Sequence, residues 1–430
     1  MKAKLVLLGL LVAVVSAGAA VAVFRARGAL LPGEAPASRP TAFSLDRPDA
    51  DSIALAAQVR TRCRLLWGKG RRACYEDILL RLAQAGRTRL AMGTLGRLSP
   101  ERLVRRSGHE LSHVIGINAW VPGKEVGAVY AQCTELFQSG CYHGVIQAYF
   151  AWSGTDSATV AALCDSATAI RESVWLRFQC VHGIGHGLVQ TMALDLPRAL
   201  DGCDDLSGPF DRESCYGGAF MEFVSGGRGQ SHHPRAGPQA THERHEAEAS
   251  TTPAFALRRR EDPLYPCTVV EERYRRACYQ LQPAIIFETA EGDMRRVARA
   301  CDQAPERHRR SCYQGIGTYA SGMTARHAGK TIRICSMGSP QYREWCFVGV
   351  AKNFVDVTSR ADDGLDFCRR LEAPDIATRC HVAVGEQIAL LVLFTRDREA
   401  ACAKAPPAFV PACRYGAGLS RERPPGLSSS

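Results

Sequence analysis

The chain predicts an all-α solenoid of about ten disulfide-stapled helical hairpins, and three observations point to that fold. Cys278, Cys312, Cys346, Cys380 and Cys413 follow one another at a near-constant interval. Each has a partner a short way upstream: Cys267, Cys301, Cys335, Cys368 and Cys402. The phrase Arg-x-x-Cys-aromatic-x-Gly recurs in register, at Arg309/Cys312/Tyr313/Gly315, Arg343/Cys346/Phe347/Gly349 and Arg212/Cys215/Tyr216/Gly218. Self-similarity at a period of roughly 20–50 residues is the mark of stacked repeats, each too small to bury its own apolar face.

Each repeat reads as a short helix ending in a cysteine, a polar turn such as 302–310, and a second helix carrying the second cysteine near its start. A disulfide closing so short a loop contributes roughly 2–3 kcal/mol. The glycine three positions after the second cysteine recurs at Gly144, Gly183, Gly218, Gly315 and Gly349. Glycine inside a helix costs roughly 1 kcal/mol against alanine. Its repetition predicts a close approach of neighbouring helices.

All 18 cysteines pair locally, the remaining four pairs being Cys63/Cys74, Cys133/Cys141, Cys164/Cys180 and Cys203/Cys215. An even count without any Cys-x-x-Cys argues against a zinc ribbon and for oxidised thiols, hence an extracytoplasmic location, on the periplasmic side in a bacterium. The N-terminus agrees: Lys2 and Lys4 precede an uncharged apolar run, Leu5–Phe24, long enough to span a bilayer. The expectation is an uncleaved signal-anchor over 1–24; small residues at 16–20 leave a cleavable signal as the alternative. Residues 25–50 then form a linker, 51–224 and 267–418 the repeats, 225–266 an unstructured insertion and 419–430 a tail. The net charge of +11 comes from basic residues spread along the whole chain, without the aromatic-interleaved patch that nucleic-acid binding needs. The expected partners are the membrane, through the N-terminus, and a protein or peptide ligand in the concave groove that solenoids present. Nucleic acid is not among them.

The period, about 34 residues per hairpin, resembles that of tetratricopeptide repeats, and disulfide-linked hairpins resemble the cysteine-rich Sel1-like group. The resemblance covers most of residues 51–418 and implies a superhelical stack. The tetratricopeptide Trp/Leu/Gly/Tyr pattern is absent, and no functional residue carries over.

One rung of the ladder lacks its cysteine. Counting one interval on from Cys74, or one back from Cys141, reaches Ser107, which is followed by Gly108-His109-Glu110-Leu111-Ser112-His113. His109 and His113 lie two and six positions past that rung, as His182 and His186 do past Cys180; His143 holds the first position after Cys141, with Gln147 in the second. After Cys215 the same slots hold Gly217 and Met221, with Glu222 alongside. Residues i and i+4 share a helix face, and equivalent positions on packed helices lie roughly 10 Å apart. Five of the twelve histidines therefore converge on one region of three repeats.

Neutral imidazoles suit zinc, with copper or iron as alternatives, since oxidised thiols cannot ligate. The expected metal ligands are His109, His113, His143, His182 and His186. The run His109-Glu110-Leu111-Ser112-His113 also resembles the HExxH motif of zinc metalloproteases. That resemblance implies two histidine ligands and a glutamate general base. It departs at Ala119, where the longer pattern needs a third histidine. Glu110-x-x-His113 fits the carboxylate di-iron pattern once, without a second copy. No haem-attachment sequence occurs. The expected activity is zinc-dependent hydrolysis with Glu110 or Glu222 as base. A non-enzymatic scaffold with a structural metal, or none, is the alternative.

Overall fold

The computed structural model describes residues 51–165, 167–227, 255–392 and 394–427. The signal-anchor and linker expectations, over 1–50, lie outside them. Among the described residues the chain is helical without a strand, and no helix is long and apolar enough to cross a membrane.

Ten of the described helices pack on one another in succession along the stack. They are α1 (Gly68–Gln84), α2 (Arg102–Ala119), α3 (Gly140–Ser153), α4 (Val174–Thr191) and α5 (Pro209–Gly227), followed by α6 (Glu272–Thr289), α7 (Glu306–Met323), α8 (Arg343–Thr358), α9 (Pro374–Leu391) and α10 (Val410–Gly416). Each except α6 is preceded by one or more short helical segments, such as Met294–Gln303, which Asp293 caps by accepting from the Arg295 amide. Ahead of α6 the chain from residue 255 is irregular but packed: Tyr265 is 2% exposed and stacks on Phe255. Helix α5 itself runs on to Gly227, so the break in the repeats is narrower than 225–266. Its remainder, 228–254, lies outside the described residues.

All nine expected disulfides form, from Cys63–Cys74 to Cys402–Cys413. The repeated arginine three positions before the second cysteine has a capping role. Arg71, Arg275 and Arg309 donate from Nε to the carbonyls of Leu66, Val270 and Ala304, five positions upstream, at 2.8, 3.0 and 2.9 Å. These carbonyls sit in the turn that ends the preceding segment, where no helical partner reaches them. The tyrosine after the cysteine ties the two helices together: the Tyr313 hydroxyl donates to Asp302 at 2.7 Å.

The recurring glycines mark crossings with almost no space. A Cβ on Gly116 would stand 2.0 Å from the Cys141 carbonyl oxygen, and one on Gly144 would stand 2.3 Å from that of His113. The same reciprocal pair joins α4 to α5, with 2.1 Å at Gly185 and 1.9 Å at Gly218. Backbone thus touches backbone, and the histidine-bearing helices are drawn within reach of one another.

The stack also closes on itself. Phe137, Gln138 and Ser139 all adopt positive φ, between 53° and 59°, at the entry to α3. Left-handed backbone costs each such residue on the order of 1 kcal/mol. In that conformation the Phe137 amide donates to the Val357 carbonyl at the end of α8, 3.0 Å away.

Candidate metal centre

Helices α2, α3 and α4 bring the five expected histidines into one cluster. The ring centroids of His109 and His113 are 4.6 Å apart, and those of His113 and His143, and of His113 and His186, are each 5.3 Å apart. His143 stands 4.9 Å from His182 and 5.0 Å from His186. His113, His143, His182 and His186 are all buried, and His109 is half-buried. Helix α2 carries non-helical backbone at Ser107, where its repeat lacks the cysteine, with φ −125° and ψ 15°.

Every ring has one nitrogen held by an acceptor on its outer side. His109 Nδ1 donates to the Phe137 carbonyl at 2.8 Å, and His182 Nδ1 donates to the Ser214 carbonyl at 3.1 Å. His186 Nδ1 donates to Glu222 Oε2 at 2.8 Å. That same carboxylate oxygen accepts from the Gln147 amide at 3.3 Å, which turns Gln147 Oε1 toward His113 Nδ1, 2.8 Å away. His143 Nε2 donates to Gln179 Oε1 at 2.8 Å. Carbonyl and carboxylate oxygens only accept, so each of these ring nitrogens carries the proton.

In the neutral form of each ring the opposite nitrogen is a lone pair: Nε2 of His109, His113, His182 and His186, and Nδ1 of His143. His143 Nδ1 and His186 Nε2 are buried with no hydrogen-bond partner. Burial first, and then the neighbouring imidazoles, hold His143 and His182 well below the ordinary histidine range, which keeps them in the neutral, ligating form. His109, His113 and His143 form one group that could hold a metal ion, and His143, His182 and His186 form another, with ligand atoms within 4.8 Å in each. His143 belongs to both. With a single lone pair, on Nδ1, it can serve one ion, so only one of the two groups can be filled with all three of its ligands at a time.

The expected bases fall elsewhere. Glu222 is 1% exposed and lies behind His186, on the nitrogen turned away from the centre. Such a carboxylate–histidine pair fixes the tautomer and makes the ring a stronger donor to a metal. Glu110 belongs to neither group, and its Oε2 is buried with no hydrogen-bond partner.

Beside the centre is a small cavity of about 90 Å³ lined by His143, His182, Gln179, Trp175, Met221 and Asp356, among others. It shares Trp175, His182, Met221 and Asp356 with a groove of about 620 Å³ that runs along helices α4 to α9. Asp356, from α8, reaches this point because the stack closes. Desolvation pushes its carboxyl up to about 7, against the opposing pull of Lys352 and a hydrogen bond from Gln387. Sequence reasoning missed Asp356, since it lies outside the histidine columns and far along the chain. It also took Gln147 only as a gap in a column, and did not consider Gln179.

Comparison with family models, curated proteins and solved structures finds no match.

Proposed function

We propose that the chain is an extracytoplasmic metal protein that uses one divalent d-block ion, held by three histidines from the cluster His109, His113, His143, His182 and His186, for hydrolysis at the head of its groove. The observation that carries this reading is the convergence of five imidazoles, each held by an acceptor on one ring nitrogen, with His143 Nδ1 and His186 Nε2 buried and without a hydrogen-bond partner. An apolar core would not leave these two buried ring nitrogens without a partner, because each costs desolvation energy unless something satisfies it. A donor set of neutral nitrogen without oxygen disfavours calcium and magnesium, and suits zinc, copper or iron. Zinc is the first choice for hydrolysis, being without redox chemistry and a strong Lewis acid.

The base in this reading is Asp356, in place of Glu110 or Glu222. It is the carboxyl of the small cavity, and its elevated value suits proton transfer near neutrality. His143 and His182 present the accessible side of the centre, where a substrate carbonyl and a water would meet. The nine disulfides support an oxidising compartment. Tethering by the apolar run 5–24 belongs to the same proposal.

Elemental analysis of the purified chain tests the centre. One equivalent of zinc, copper or iron is expected, falling below a tenth of that in His113→Ala/His186→Ala. X-ray absorption should show nitrogen neighbours at about 2.0–2.1 Å for zinc. A folded protein that takes up no metal after reloading would end the proposal. Asp356→Asn separates an enzyme from a scaffold with a structural metal: an enzyme keeps its ion and loses turnover.

A further inference from the structure

The groove has two unlike walls. Trp175, Phe178, Phe210 and Met221, from α4 and α5, make an aromatic and thioether wall. Across from it, α6 to α9 contribute Gln280, Gln314, Asn353 and Gln387. These carboxamides come as two pairs, and within each pair the residues occupy equivalent places, one repeat apart, on adjacent helices. Packed helices are roughly 8–10 Å apart, a distance that about three residues of extended chain span at roughly 3.3 Å each.

Apart from Asp356, the groove's charged side chains are paired locally. Glu213 faces Arg276 at 3.5 Å, and Lys352 pairs with Glu386 at 2.6 Å. Nothing there favours a polyanion or a polycation. A carboxamide, by contrast, offers one acceptor and a donor group, the complement of a peptide bond. The Asn353 carboxamide contacts the Ser321 hydroxyl at 2.8 Å, and Gln387 donates one amide hydrogen to Asp356. On the aromatic wall, Trp175 Nε1–H is buried and has no acceptor in the protein. A ligand carbonyl against that wall would satisfy it.

We infer that the groove binds an uncharged, extended peptide segment. Its backbone would lie along Gln280, Gln314, Asn353 and Gln387, its apolar side chains against Trp175, Phe178 and Phe210, and one of its carbonyls would point to the histidine centre. The inference rests on the hydrolase reading for the role of that carbonyl, but the binding site stands on the groove alone. It names the substrate class as unstructured, apolar polypeptide.

The test uses the full chain and a pool of N-acetylated, C-amidated octapeptides built from uncharged residues, with the hexamer of N-acetylglucosamine as a rival probe. Members of the pool should be retained and then titrate singly. Gln280→Ala/Gln314→Ala and Phe178→Ala should each weaken the retained peptides about tenfold or more, with unchanged metal content and circular dichroism. His113→Ala/His186→Ala, if it stays folded, should lose the metal and still retain peptide, which separates failure of the centre from failure of the groove. The inference is overturned if wild type retains no more of the pool than the triple variant Gln280→Ala/Gln314→Ala/Phe178→Ala. Retention of the sugar hexamer in place of the peptides would also overturn it.

Discussion

The Nε2 atoms of His109 and His113 lie 3.1 Å apart, and when both rings are neutral and donate from Nδ1 each of these atoms carries a lone pair. Two lone pairs at that distance repel unless a cation lies between or beside them. A proton can do this for one pair of rings, whereas a metal ion in the proposed centre would do it for three. Ligand-bound and ligand-free protein should therefore differ in stability. A saturating ion at 100 times its Kd adds about 2.7 kcal/mol, so zinc should raise Tm by several degrees and a chelator should reverse it. Differential scanning calorimetry at fixed ion activity reads this directly.

Glu222 acts on the centre through His186. Replacing it with glutamine keeps the volume and a hydrogen-bond acceptor but removes the charge. Metal affinity should fall roughly 10–100-fold, measured by competition with a chromophoric chelator. An unchanged affinity would mean that the Glu222–His186 bond does not tune the ligand.

Adjacent glycines on α5 should respond with opposite signs. A Cβ on Gly218 would collide with the His182 carbonyl at 1.9 Å, while one on Gly217 would meet the His182 ring at 3.5 Å, an ordinary contact. Gly218→Ala should cost on the order of 2–3 kcal/mol by forcing α4 and α5 apart, and should lower metal content as well. Gly217→Ala should be neutral, or stabilising by up to about 1 kcal/mol through helix propensity. Urea unfolding of the two variants side by side checks the contrast.

Two classes of buried group give the chelator-treated protein opposing pH limbs. His143 and His182 are held below the unfolded value of 6.5, so their neutral forms fit the fold, and stability is lost as pH falls below about 6. Asp356 is held above its unfolded value of 3.8, so its protonated form fits the fold, and stability drains away as pH rises from about 4 through 7. Asp356→Asn should remove the second limb. After discounting for its partial exposure, the gain at pH 8 is on the order of 1–2 kcal/mol and should shrink toward pH 4. A gap between variant and wild type that stays constant with pH would contradict this assignment.

The cysteine ladder made the hairpins legible, because a local disulfide leaves a fixed sequence spacing. The register of the histidines was legible for the same reason: His109, His143 and His182 occupy one slot counted from one landmark. What spacing could not show was the turn of the superhelix. Asp356 meets His143 and His182 across a cavity only because α8 comes round to the loop before α3, and no repeat period encodes that pitch. The HExxH resemblance drew attention to Glu110, yet one residue along a helix is a rotation of about 100°. That rotation takes Glu110 off the face shared by His109 and His113. Gln147 and Gln179 carry no chemistry by composition, and their part emerges only once the rings they hold are seen.

In ordinary solenoids each repeat touches only its neighbours, so the ends fray independently and a disturbance fades within a unit or two. Phe137 changes that here, since its amide clasps Val357 while its carbonyl steadies His109. One residue thus fastens the open bracelet and holds a ligand of the ion. Loading the ion should tighten the clasp, and slackening α8 should be felt at the histidines. Hydrogen exchange at the far end of the chain would then report what is bound near its beginning.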